Sequence, residues 1–293
     1  MKKAKVYFIK EITPENVVKI YDALGLKLTG HVAVKVHSGE AGNQNYLRPE
    51  FMKEIVEHVG GTVVECNTAY PGERTNNKDH HRLLTEHGWD KYFTVDLMDE
   101  DGDYEEPIPN GKLIKKDYLG NHLNNYDSVL VLSHFKGHPA CGFGGALKQL
   151  SIGFASRQGK AYIHSAGYTG DADIVWEHLP EQDAFLESMA DAASCVAKKF
   201  KDRIAFINVM ANMSVDCDCC AVAEDPCMKD IGILASTDPI AIDKACLDLV
   251  HQSTDPGKDH FLERVNRQNG EHIIDAANEL GFGTLDYELI VLE

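Results

Sequence analysis

The sequence predicts an α/β fold with open, mostly parallel sheets, helices on both faces and two lobes. Short apolar, β-branched runs at residues 31–37 (HVAVKVH), 62–66 (TVVEC) and 128–133 (SVLVLS) have the composition of buried strands. Segments with apolar residues at helical spacing separate them, and that alternation builds right-handed parallel units. Helix starts are marked at Thr13-Pro14-Glu15 and Asp238-Pro239. In both, an oxygen-bearing side chain can accept from free amides of the first turn, and proline presets φ just inside it.

In chain order, residues 6–9 open as a strand and a helix follows from the Thr13 cap to about Leu24, where Gly25 stops it. The second strand spans 31–37, a helix runs over 50–59 to Gly60-Gly61, and the third strand covers 62–66. Residues 79–87 read as a short helix. On it the adjacent His80 and His81 point about 100° apart, which suits solvated surface better than one shared ion. Residues 96–127 are acidic and carry Pro107, Pro109, Gly102, Gly111 and Gly120, which predicts irregular structure with a hairpin around 112–117. After the strand at 128–133 come a helix over 183–200, strands at 203–209 and 231–234, and a helix from Asp238-Pro239 to about Val250. Helices at 259–267 and 272–280 and a strand at 289–292 complete the alternation. The irregular stretch divides the chain into lobes of 1–127 and 128–293, or lies at the edge of one continuous domain, 1–293.

The chain has 293 residues, 43% of them hydrophobic, enough to bury a full core. Lys and Arg number 29 against 46 Asp and Glu, a net charge of −17. That field repels phosphate backbones and anionic lipid, so neither nucleic acid nor membrane is expected as a partner. A small anionic molecule would have to be drawn in locally, by Lys136, Lys148, Arg157 and Lys160. The apolar run at 6–9 is too short for the core of a signal peptide, and a cytoplasmic location is expected. In reducing surroundings, eight cysteines of which four fall between Cys217 and Cys227 suggest a metal site or buried thiols.

Chemistry concentrates in residues 134–164, HFKGHPACGFGGALKQLSIGFASRQGKAYIH. They begin where a buried strand should end, which in an open α/β sheet is where ligands bind. Gly142, Gly144 and Gly145 would let amides approach a ligand, with Lys136, Lys148 and His37 around it. No G-x-G-x-x-G or G-x-x-x-x-G-K-S/T pattern is complete, so nicotinamide and ATP lack support. Cys217 and Cys219 face one side of an extended segment and can reach one soft ion, joined by a histidine of this loop. His134 and His138, with Lys148, are the candidate catalytic groups, because imidazole moves protons near neutral pH and a buried lysine can act as nucleophile.

These stretches, together with Lys35-Val36-His37-Ser38-Gly39-Glu40, Asp216-Cys217-Asp218-Cys219 and residues 230–239, resemble in order the family catalogued as domain of unknown function 362. Its members are often labelled iron-sulfur-centre proteins, and many carry a ferredoxin-like insertion after the segment matching residues 159–164. Residues 166–182 stand there without a cysteine, so no four-iron cluster is expected within this chain, and a separate ferredoxin-type protein becomes a candidate partner. Over about thirty residues the chain is also similar to lactate racemase, the enzyme of the nickel pincer nucleotide. His138, Lys148 ten residues on and His164 sixteen beyond agree with its pattern. No counterpart of that family's other catalytic histidine or of its Asp-Arg substrate motif is evident. The resemblance implies a lysine, Lys148, that holds the cofactor and a histidine, His164, that ligates nickel. Cys217, Cys219, His138 and His164 are therefore the candidate ligands of zinc, iron or nickel. The expected function is a metal-dependent enzyme on a small anionic substrate, racemase-, isomerase- or redox-like; the alternative is a non-catalytic metal or redox-centre module.

Overall fold

The computed structural model describes residues 3–293. Strand β1 (Ala4–Ile9) leads to α1 (Pro14–Ala23), where the Thr13 hydroxyl accepts from the Asn16 amide at 3.2 Å. Then come β2 (Val32–Lys35), α2 (Pro49–Val59), β3 (Gly61–Glu65), α3 (Asn77–Glu86) and β4 (Val95–Leu97). Strands β5 (Asp103–Pro107) and β6 (Lys116–Gly120) pair antiparallel as a separate ribbon. Next are β7 (Ser128–His134), β8 (Lys136–His138), β9 (Gly142–Gly144) and α4 (Ala146–Lys148), which runs on as a π turn over Gln149–Gly153. The remainder is α5 (Arg157–His164), α6 (Gln182–Phe200), β10 (Ile204–Met210), β11 (Gly232–Ser236), α7 (Pro239–Gln252), α8 (Lys258–Arg267), α9 (His272–Glu279) and β12 (Tyr287–Val291).

Eight strands form one sheet in the order β12-β1-β11-β10-β7-β2-β3-β4. Every neighbouring pair is parallel except those that β11 makes with β1 and β10. Strands β7 and β10 are buried along their whole length because both faces of the sheet are covered. Val129, Val131 and Phe206 join the core beneath α6 and α7, while Leu130, Leu132 and Ile207 join the core beneath α1 and α2. The α/β architecture read from the alternation is the one observed.

One local expectation holds with shifted bounds and one is corrected. The hairpin expected around 112–117 is the antiparallel β5–β6 ribbon, whose connecting residues 108–115 are held by the Asp191 carboxylate of α6, which accepts from the amides of Lys112, Leu113 and Ile114 at 2.7, 2.7 and 2.9 Å. His80 is fully buried and not solvated, its Nδ1 3.2 Å from Asn67 Oδ1, because it lies with Leu83 and Leu84 on the inward face of α3. His81 does lie at the surface, beside Glu100.

Candidate functional site

Parallel β2, β3, β7 and β10 end on one rim, and the loops leaving them supply the side chains. Gly137 lets two of those loops touch: a Cβ there would sit 2.5 Å from Val215 Cα, and its amide donates to the Ser214 carbonyl at 2.8 Å. That approach sets Cys217 and Cys219 against His138. From the other side Asn43 donates to the carbonyls of Cys217 and Cys220, at 3.2 and 2.8 Å, and the Glu40 amide donates to the Asp218 carbonyl at 2.8 Å.

Beneath the thiols lies a charged layer. Asp218 is buried with Lys136 Nζ and His134 Nδ1 each at 2.8 Å. Burial would raise its carboxyl, but His134 and Lys136 hold it well below the usual range. His134 Nε2 donates to the Ala211 carbonyl at 2.6 Å, so both ring nitrogens of His134 are spent on structure. A second layer joins Lys35 to Glu65 at 2.6 Å and Arg74 to Glu65 and Glu40 at 3.4 Å, with the Tyr70 hydroxyl 2.6 Å from Arg74.

A ring nitrogen of His138, Cys217 Sγ and Cys219 Sγ lie within 4.8 Å of one another. Burial opposes ionisation of Cys217, yet the hydrogen bond from Cys219 and the charges of Lys148 and Lys136 hold it well below the thiol range. Cys219, as the donor of that bond, is pushed well above it. The pair therefore shares one proton, with Cys217 as thiolate and Lys148 Nζ 3.8 Å from its sulfur. Burial lowers His138, while Cys141 and Cys217 raise it further, to about 9. Its Nδ1, however, accepts from the amides of Ala140 and Cys141 at 3.1 and 3.2 Å, which leaves no place for a second proton. The hydrogen-bond geometry decides: His138 is neutral, with its proton on Nε2 facing Cys219 Sγ at 3.7 Å. For a soft ion the two sulfurs fit in chemistry and position. His138 fits in position only, since ligation through Nε2 needs the proton on Nδ1.

These groups open on a cavity of about 290 Å³, walled by His37, His138, Lys148, His164, Arg74, Lys160, Cys219 and Cys220 and by the apolar Ile152, Trp176 and Phe185. His164 stacks on Phe185 at 4.9 Å and lies 5.3 Å from Trp176; desolvation, then the charges of Lys148 and Lys160, lower it to about 3. The structure thus gathers His37, His138, Lys148, His164, Cys217 and Cys219 in and around one cavity. It sets Lys136 and His134 behind the thiols. Gly142, Gly144 and Gly145 lie outside the cavity wall. The amides of Ala146 and Leu147, just past those glycines, are filled from within by the Asp243 carboxylate, at 2.8 Å each. A nucleotide phosphate finds no cradle there. Sequence reasoning had left out Lys35, Glu65, Tyr70 and Arg74; only the lone charge in the apolar run TVVEC hinted at them.

Fold and site together define an α/β protein whose parallel strands end on a thiol–imidazole cavity. Residues 32–248 match the family model described as Domain of unknown function (DUF362), and the chain belongs to that family. No curated protein matches it. Among solved structures, the lactate racemase apoprotein from Thermoanaerobacterium thermosaccharolyticum is similar at 15% identity and TM-score 0.41, over 69% of this chain and 50% of that one. A Thermotoga maritima protein is similar at 11% identity and TM-score 0.43, over 91% of this chain and 58% of that one. The chain therefore spans about half the length of the racemase and somewhat more of the second protein. Among the described residues no helix is long and apolar enough to cross a membrane.

Proposed function

We propose that the cavity is the active centre of an enzyme that acts on a small anionic molecule, with a soft metal ion held on Cys217 and Cys219. The observation that carries this reading is one cavity walled by the Cys219 thiol, with the Cys217 thiolate behind it, by the imidazoles of His37, His138 and His164, and by Lys148 and Lys160, which lack carboxylate partners. A bare metal module needs no such cavity. When bound, the ion would supply Lewis acidity toward a substrate oxygen. His138, locked with its proton on Nε2, is a hydrogen-bond donor at the cavity wall. His164, held neutral, is an acceptor on the same cavity. Two neutral imidazoles, one presenting an N–H and the other a free ring nitrogen, give an isomerisation or hydroxy-acid redox step a hydrogen-bond donor and a base. Lys148 balances the Cys217 thiolate and is the residue through which a pincer nucleotide, as in the racemase resemblance, would attach.

Metal analysis and intact mass of protein purified without added metal test the reading. We expect zinc, iron or nickel at close to one equivalent, lost in Cys217→Ala and Cys219→Ala. His138→Ala should keep the metal and lose turnover in a screen of small hydroxy acids. Metal-free protein indifferent to both cysteine changes would sink the proposal, and an unmodified Lys148 would remove the nucleotide from it.

A further inference from the structure

Lys160 stands apart from the other cations of the cavity. Lys35 faces Glu65, Arg74 faces Glu40, and Lys148 faces the Cys217 sulfur. The Lys160 ammonium donates only to the Ala155 carbonyl, at 2.5 Å, although the residue is 6% exposed and lines the cavity. Among the described residues no carboxylate lies within ion-pair distance of it. Asp117 feels its charge, yet burial pushes that carboxyl up to about 7 and its Oδ1 accepts instead from the Tyr118 amide. A buried ammonium without a counter-charge is costly, and an anionic ligand would relieve it.

The surroundings give the rest of that ligand. One helical turn beyond Lys160 on α5, the His164 ring stacks on Phe185 and touches Trp176, so an apolar, aromatic wall begins where the cation ends. A two- or three-carbon acid would satisfy the charge and leave the aromatic wall wet. We propose that the cavity takes a carboxylate with an aryl or branched apolar body, its carboxylate on Lys160 and its body against Trp176 and Phe185. This rests on the reading of the cavity as an active centre, but it is tested by binding alone.

The probes are 3-phenylpropanoate, propanoate, 3-phenylpropan-1-ol and inorganic phosphate, titrated calorimetrically into the purified protein. Phenylpropanoate should bind at least about tenfold tighter than propanoate, since the ring buries apolar area, and tighter than the alcohol by a similar factor. Lys160→Met should cost phenylpropanoate about tenfold or more and leave the alcohol unchanged, and Lys160→Arg should restore most of the loss. Trp176→Ala, at a residue 37% exposed and so safe for folding, should narrow the gap between phenylpropanoate and propanoate. Phosphate binding equal to phenylpropanoate binding, or no preference for the aryl acid over propanoate, would overturn the proposal. A metal-free protein that still shows these preferences would sink the metal and keep the ligand class.

Discussion

Glu65 is one carboxylate answering four groups: Lys35 at 2.6 Å, Arg74 at 3.4 Å, and the amide and hydroxyl of Ser38 at 2.8 and 2.9 Å. Burial by itself would raise its pKa; Lys35 and Arg74 overcome that and hold it well below the usual range. A depressed folded-state pKa contributes stability that is complete above the unfolded value of about 4.3 and is lost as pH falls toward the folded value. Glu65→Gln leaves two buried cations short of an anion, and it should cost about 3–5 kcal/mol at pH 7. In urea titrations, the gap between wild type and Glu65→Gln should narrow as pH drops below about 4.3. A gap constant down to pH 3 would show that Glu65 is not an acid-sensitive anchor. None of this network is legible residue by residue. His37, His138 and the cysteines announce themselves as chemistry, whereas Glu65 looks like a strand's last polar residue until β2 and β3 are side by side.

At the scale of the element, the glycine loop shows where spacing stops being informative. A strand, then glycines, then a helix start follow one another as β7, β9 and α4. The partner of that helix start is Asp243, 97 residues further on, and no local pattern could name it. The consequence is a contrast between neighbouring glycines. A Cβ on Gly145 would lie 2.4 Å from Asp243 Oδ1, whereas one on Gly144 would meet the Lys136 side chain at an ordinary 3.5 Å. Gly145→Ala must push Asp243 off the amides of Ala146 and Leu147 and should cost about 1–3 kcal/mol, as overpacking does. Gly144→Ala should cost less than about 1 kcal/mol, the price of ordinary contact. Thermal melts should show a drop of several degrees for Gly145→Ala and little change for Gly144→Ala; equal losses would mean that the loop is rigid for another reason.

For the whole molecule, the sheet order interleaves strands from the two halves of the chain. Strands from residues 1–127 stand on both sides of strands from the remainder: β1 lies between β12 and β11, while β2, β3 and β4 lie beyond β7. Removing 128–293 would separate β1 from β2 and strip the sheet of the fully buried β7 and β10. The composition break at 96–127 marks an excursion, the β5–β6 ribbon, which pairs with itself and returns. We therefore propose that the chain unfolds as one cooperative unit. Urea denaturation followed by tryptophan fluorescence and by far-ultraviolet dichroism should give coincident transitions, since Trp89 packs beneath α2 and β4 and Trp176 lies at the cavity. Amide exchange should be slowest in β7 and β10 and fastest in the half-exposed edge strand β12. Two separated transitions, or a 1–127 fragment that folds alone, would show instead that the lobes are independent. The site would then depend on docking between them, because His37 and Arg74 come from the first and His138, Lys148 and the thiols from the second.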